Sequence, residues 1–344
     1  MTINKTINVA SIKSDNSLSL FRLLACLQVM LCNHMPHFMG VHLPVGIHDF
    51  INLFHGVPVF FILSGLLIWN SVQNSGSFKV YFSKRILRLY PELWVCLAVE
   101  LLSIIIFYKQ DINWGQLILF AFTQGTLFQF WTPESLREYG CGCPNGALWT
   151  ITVMVQFYML MWFCYKKLYK TKAWADLLLF FALVSIPVLF YGTHLIPPFV
   201  LKFINVTCVP YLWIFYCGCL VAKYFTKIIN YLCNQWLLIS ILLIVFYNLP
   251  DIYLNYYRLF YTIILALFIV GFSYRFPQLS IKKDISYGIY IYNMVFVNVA
   301  IEKGVQDSPY AYLLVILLTV ISAYISYEIV GAFSRRKRNH LISK

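Results

Sequence analysis

Two ionisable residues, Arg22 and His34, stand in the first apolar run of this chain, FRLLACLQVMLCNH. A charge inside a membrane span costs roughly 2.5–3.5 kcal/mol on insertion scales, so each is a candidate for function. They are twelve positions apart, about 18 Å along a helix, and cannot touch each other. A neutral imidazole can accept a proton from a hydroxyl near neutral pH, which suits His34 to general-base chemistry. It reads equally as an interfacial histidine bonded to a backbone carbonyl. Arg22 reads either as a functional cation or as one snorkelling to lipid headgroups.

A second constellation follows the second apolar run. HGVPVFFILSGLLIWNSV, with Ser64 and Gly65, leads into FKVYFSKRILRLYP. Arg85 and Arg88, with Lys84 beside them, are spaced to share one helix face, and their planar forks suit phosphate groups. An acyl-CoA is such a ligand; an anionic lipid surface is the other reading. Glu100, Glu328, Gln156 and Asn293 fall within apolar spans, where hydrogen bonds between helices are the expected use. Five of the seven histidines (His34, His37, His42, His48, His55) and Asp49 fall from the end of the first span to the start of the second. Their spacing fits no known ligand pattern, so no metal is expected. The absence of a Gly-rich phosphate loop, a nucleophile elbow or an HExxH motif argues against ATP-driven transport and the usual soluble hydrolases.

The elements that must position these residues belong to a membrane protein. Of 344 residues 60% are hydrophobic and only 11% charged, whereas a soluble domain carries about 25% charge. The net charge of +13 raises the question of a nucleic-acid partner, and its distribution answers it. Lys5 and Lys13, Lys79 to Arg88, Lys166 to Lys172, Lys223 and Lys227, Arg275 to Lys283, and Arg335 to Lys344 hold 20 of the 26 Lys and Arg residues. The positive-inside rule puts these clusters, and both termini, in the cytoplasm. Ten crossings are expected near 17–39, 51–72, 92–108, 147–165, 174–192, 207–222, 235–249, 259–274, 286–303 and 311–332, each near the length a helix needs. Leu117 to Trp131 would reverse the topology if it crossed, so it is expected to be re-entrant or interfacial on the outer side. The fold class is therefore all-α: a polytopic helical bundle, one membrane domain over 1–344 with cytoplasmic tails at 1–16 and 334–344. No cleavable signal peptide is evident. The ten cysteines show no zinc spacing; Cys141 and Cys143 stand in an outer loop where free thiols, or a disulfide reaching Cys208, are both open.

Taken in order, FRLLACLQVMLCNH, GVPVFFILSGLLI, FSKRILRLYP, ALWTITVMVQFY and ISYGIYIYNM resemble the acyltransferase family 3 membrane proteins, the bacterial O-acetyltransferases of surface polysaccharides. The resemblance covers nearly the whole chain. It implies an inner-membrane enzyme that takes an acyl group, usually acetyl from acetyl-CoA, and delivers it to a hydroxyl of a glycan on the outer side. It implies also that Arg22 and His34 are the essential pair of the first helix, that Arg85 and Arg88 are the cytoplasmic basic motif, and that Ser64 and Gly65 form a Ser-Gly turn. Trp149, Gln156 and Tyr158 of the fourth span and Asn293 of the ninth are its further motif positions, serving substrate or structure.

The chain departs from that family pattern in three places. The family's Arg and His are usually eleven apart, so this first helix is expected to take up one extra residue, as a π-bulge would. Met154 stands where many members have a carboxylate, and Asn293 where many have His. The expected function is a membrane O-acyltransferase moving acetyl from cytoplasmic acyl-CoA to a cell-surface polysaccharide or its lipid-linked precursor, with no permanently bound cofactor and no nucleic-acid partner. The alternative is a transporter or flippase of a lipid-linked glycan that makes no bond.

Overall fold

The computed structural model describes residues 11–343 apart from 13, 193–195 and 255–256. Lys5, Lys13, Lys344 and most of the expected amino-terminal tail lie outside the described residues. In chain order the helices are α1 (Leu18–Gln28), continued by a π-helical turn at Val29–His34 and an α-helical turn at Met35–Met39, then α2 (Val45–Asn52), α3 (Gly56–Gln73), α4 (Phe78–Phe107) and α5 (Trp114–Gln124). There follow α6 (Trp149–Lys170), α7 (Ala173–Gly192), α8 (Pro198–Ile204), α9 (Leu212–Lys223), α10 (Phe225–Asn234) and α11 (Trp236–Asn248). The last four are α12 (Leu259–Arg275), α13 (Ser286–Glu302), α14 (Pro309–Ser326) and α15 (Ala332–Ser343), with a second π-helical turn at Tyr327–Gly331 between α14 and α15. A two-residue antiparallel ladder, Tyr253–Leu254 against Tyr257–Arg258, is the strand structure among the described residues.

Each of the ten expected crossings falls on helix. Among the described residues six helices are long and apolar enough to span a membrane, or up to eight if each of two bent pairs counts as one span. The difference has a geometric origin. The apolar runs at 207–222 and 235–249 belong to helix pairs bent by 66° and 84°, while α12 and α13 have 17 residues each. That length is about 25 Å, short of a hydrocarbon core about 30 Å thick. The basic run expected to precede the third span is instead continuous with it. Phe78–Phe107 is one 30-residue helix that carries Pro91 within it, about 45 Å long and enough to cross the headgroup layers too. In the stretch expected to be re-entrant or interfacial, α5 has 11 residues and is too short to cross.

By contacts the chain divides into two compact units, each discontinuous in sequence. The first comprises Met1–Arg22, Val57–Ser75 and Gln156–Lys282. Its helices α3 and α9 cross closely enough that a β-carbon on Gly65 would lie 2.1 Å from the Phe215 carbonyl oxygen, and one on Gly218 2.1 Å from that of Ile62. Small residues permit such backbone contact in lipid, where helices gain nothing by hiding apolar surface from one another. Ser64 and Gly65 are thus mid-helix and Gly65 packs a crossing; the Ser-Gly turn expected here is not formed, because α3 runs unbroken from Gly56 to Gln73. Gln156 also has a structural post. It accepts from the Cys208 backbone N–H at 2.8 Å and donates to the Val206 carbonyl at 3.2 Å, satisfying the backbone at the break before α9.

The other fixed point of this unit is Asp176, only 2% exposed. Its carboxylate takes Lys223 Nζ and the Tyr224 hydroxyl, both at 2.6 Å, and the Tyr216 hydroxyl at 3.0 Å, with Thr171 as a further donor. Lys223 also donates to the Leu168 and Thr171 carbonyls. A buried ion pair with every lone pair engaged holds its geometry, but losing one member strands the other.

The second unit comprises Leu23–Gly56, Gly76–Val155 and Lys283–Lys344. In it α13 packs along α14 and α4, and α15 packs along α4. An apolar cluster of Leu97, Ile104, Leu117, Phe120, Leu136 and Tyr139 joins α4 to α5.

The Asp176 knot gives a direct expectation. Asp176→Ala leaves the Lys223 ammonium buried and should lower stability by about 3–5 kcal/mol. Asp176→Leu with Lys223→Met, which removes both charges, should recover most of that loss. Thermal unfolding of the purified protein in detergent checks both; a double variant no better than the single would refute a stranded charge as the cause.

Candidate active site in the second unit

The first helix departs from α-geometry where the extra residue was expected. The Met35 backbone N–H donates to the Met30 carbonyl, five residues back, which is the π-helical pattern. Eleven α-helical steps of about 100° bring two side chains within about 20° of one line, whereas twelve leave them about 120° apart. A π-turn holds one additional residue, so the register beyond it is the one that eleven residues would give. His34 is the last residue of the turn.

A polar network braces the turn. Gln28, 2% exposed, donates through Nε2 to Asn33 Oδ1 at 3.1 Å and Asn52 Oδ1 at 3.0 Å, while its Oε1 accepts from the Gly56 backbone N–H at 2.8 Å. A β-carbon on Gly56 would lie 2.5 Å from the Ala25 carbonyl oxygen, so the glycine permits the approach. Gln28, Asn33 and Asn52 went unremarked in the sequence because each is a neutral polar residue in an apolar context; only a fold that converges them gives them a role.

His34 is half-buried and meets Asn293, which is fully buried, with Nδ1 2.6 Å from Asn293 Oδ1. The tautomer follows from Asn293's other bonds. Its Nδ2 donates to the Tyr290 carbonyl at 2.7 Å and the Ile289 carbonyl at 3.1 Å, both on its own helix. That assigns the amide nitrogen to the backbone and leaves the oxygen, an acceptor only, toward the imidazole. His34 Nδ1 is therefore the protonated nitrogen, and Nε2 carries the lone pair. An imidazole oriented this way can accept a proton at Nε2 without changing its bond to Asn293.

The loop before α6 is tied to the same helix, α13. Asn298 accepts from the Cys141 N–H at 2.8 Å and donates to the Pro144 carbonyl at 2.7 Å and the Cys143 carbonyl at 3.0 Å. Glu302 accepts from the Gly140 N–H at 2.7 Å, and Asn145 donates to the Ile291 carbonyl at 2.9 Å. Gly140 has φ +58° and its missing β-carbon would fall 2.1 Å from Asn298 Oδ1, so only glycine fits. Tyr290, three residues from Asn293, bonds Thr150 Oγ1 and the Ala147 carbonyl, each at 2.7 Å. Cys141 and Cys143 are free thiols, and burial pushes the Cys143 thiol up to about 11.

The remaining expected site residues divide between the units. Arg85, Arg88 and Lys84 stand on α4 in the second unit, Lys84 buried and the arginines half-buried. Arg22, Ser64, Gly65, Gln156 and Tyr158 belong to the first unit, and Trp149 and Met154 to the second. Glu100 is fully buried on α4, and its carboxyl oxygens have no hydrogen-bond partner among the described residues; the interhelical bond expected of it is absent. Glu328 instead pairs with Lys283 at 2.5 Å. Of the histidines between the first two spans, His48 lies 3.1 Å from Asp49 Oδ1. Among the described residues no three metal-ligating side chains converge.

With this geometry in place, similarity to known proteins becomes informative. The acyltransferase domain family matches residues 15–328, a stretch that includes Arg22, His34, Arg85, Arg88 and Asn293. Nodulation protein 10 of Rhizobium leguminosarum bv. viciae is 26% identical over 352 residues, covering 96% of this chain and 95% of that protein. Peptidoglycan O-acetyltransferase OatA of Listeria monocytogenes serovar 1/2a is 26% identical over 116 residues, 31% of this chain and 19% of that protein. No solved structure matches. A match through the first helix, the basic motif and α13 makes this chain a multi-pass membrane acyltransferase belonging to the acyltransferase domain family, acyltransferase family 3.

Proposed function

We propose that this enzyme is an O-acetyltransferase of the bacterial inner membrane, taking acetyl from acetyl-CoA on the cytoplasmic side for a hydroxyl of a surface polysaccharide or its lipid-linked precursor. The observation that carries the proposal is the His34–Asn293 pair, which presents an unprotonated imidazole nitrogen within the stretch that the family matches. The similar Listeria protein bears a name that states a reaction, peptidoglycan O-acetyltransferase. Family membership as an acyltransferase displaces the transporter reading.

In the reaction, His34 Nε2 takes the proton of the acceptor hydroxyl as its oxygen attacks the thioester carbonyl. The tetrahedral adduct collapses, the carbon–sulfur bond breaks, and the departing thiolate receives that proton from Nε2–H, so ester and free thiol are the products. Asn293 holds Nδ1 throughout and changes no charge. Arg85 and Arg88, with Lys84, are the basic groups for the phosphates of the donor. Arg22 is the further arginine that this reading takes to be essential, on the resemblance alone.

Two expectations follow. In a deletion strain, wild type should restore base-labile acetyl on surface polysaccharide, measured by NMR before and after mild alkali, whereas His34→Ala should leave it reduced by about 10²-fold or more at equal protein levels. Acetylation unchanged by deletion would remove the proposal. Asn293→Leu keeps His34 but frees its ring, and a misplaced base should lower kcat by about 10²-fold with KM little changed. A variant with full turnover would show that His34 needs no such anchor.

A further inference from the structure

The Gly56 backbone N–H can only donate, and it meets Gln28 Oε1 at 2.8 Å, which fixes the way that buried amide is turned. Gln28 Nε2 must then face the other two partners, Asn33 Oδ1 at 3.1 Å and Asn52 Oδ1 at 3.0 Å. A nitrogen that donates both of its hydrogens obliges each asparagine to turn its oxygen inward. Asn33 is exposed, so its Nδ2 faces away from Gln28. That nitrogen has no hydrogen-bond partner among the described residues.

Water can satisfy an exposed amide, so the open donor alone calls for no ligand. What sets Asn33 apart is that its amide is held. A surface asparagine ordinarily turns freely, whereas this one is pinned by a glutamine only 2% exposed, which is itself bonded to the first residue of α3. A donor ordered in advance costs a ligand no side-chain entropy. It stands in the residue immediately before His34. One helical turn on, His37 and Phe38 follow Asn33 and His34 on the same face. The Phe38 ring lies 4.6 Å from that of His37, edge to face, and 6.4 Å from that of His34. The base therefore has Asn293 on one nitrogen, an aromatic ring beside it and a fixed amide in the preceding residue. An apolar ring with a few placed polar groups is the surface that a neutral polyhydroxyl ligand complements, and a sugar, with its C–H faces and its rim of oxygens, is of that class.

We infer that Asn33 Nδ2 binds the acceptor, donating to an oxygen of the acceptor sugar near the hydroxyl that His34 deprotonates, and that Gln28 is the positioning residue that keeps the amide turned that way. The inference rests on the O-acetyltransferase reading above and adds two residues to the acceptor side of its site. Such a bond is made equally before and during the reaction, so its loss raises KM for the acceptor and leaves kcat.

The full-length protein in detergent, open to donor and acceptor from both faces, would be assayed for acetyl transfer from acetyl-CoA to oligosaccharides cut from the unacetylated polysaccharide of the deletion strain. Asn33→Asp keeps the oxygen bonded to Gln28 but replaces the outward donor with an acceptor. It should raise KM for the oligosaccharide about tenfold, with kcat and KM for acetyl-CoA changed less than about twofold. Asn33→Ala should move the acceptor KM in the same direction without a new charge. Gln28→Met, which releases the Asn33 amide, should raise it too, but add nothing in an Asn33→Ala background. An equal further loss in that background would overturn the role given to Gln28; if Gln28→Met does not fold, the Asn33 variants decide. Unchanged acceptor KM in both of them would overturn the inference and leave Asn33 a polar group at the membrane surface, with the acyl-transfer reading intact. A fall in kcat alone would overturn it as well, by placing the amide on the reacting carbonyl. No transfer by the wild type would overturn both readings.

Discussion

The amide nitrogen of Asn293 is committed to two carbonyls of its own helix, and that commitment determines what His34 can be. An asparagine beside a histidine can present either end and so select either tautomer; here the backbone of α13 has removed the choice. The imidazole must donate from Nδ1, and its basic nitrogen is Nε2. A carboxylate in the same place would also stabilise the imidazolium electrostatically, whereas a neutral amide orients the ring while adding little to its basicity. Asn293 thus gives His34 an orienting partner that carries no charge.

Much of the rest of the second unit acts on the two helices that make this contact. On one side the π-turn carries His34 at its end, and Gln28 binds that turn to Asn33, Asn52 and the Gly56 backbone. On the other, α13 is tied to the loop before α6 through Asn298, Glu302 and Tyr290. These are satisfied polar groups in apolar surroundings, where a hydrogen bond fixes geometry because the alternative is an unpaired dipole. The first unit follows the same rule with the Asp176–Lys223 knot, and adds close backbone packing at Gly65 and Gly218.

Much of this was legible in the amino-acid sequence, and the limits have physical causes. Helices were readable from apolar runs, and the twelve-residue interval between Arg22 and His34, one longer than the family resemblance implies, anticipated the π-turn because helical geometry leaves few ways to absorb one residue. Apolarity alone does not say whether a run is straight, so the two bent pairs and the short α12 and α13 were not anticipated. Ser64–Gly65 was read as a turn, although a glycine in a membrane helix marks a close crossing as readily. The hydrogen bond between His34 and Asn293 joins residues 259 positions apart, and no local pattern encodes it. The meeting of α15 with α4 is equally non-local, which is why the carboxy-terminal run read only as a basic tail.

The most direct test of the tautomer is the pair of ¹⁵N shifts of the His34 ring, recorded on histidine-labelled protein at a pH where the ring is neutral and assigned by their absence in His34→Ala. A protonated Nδ1 and an unprotonated Nε2 are the expected result, and they should equalise into mixed tautomers in Asn293→Leu. A neutral His34 protonated at Nε2 in the wild type would contradict the arrangement, since that nitrogen could then take no proton from an acceptor hydroxyl.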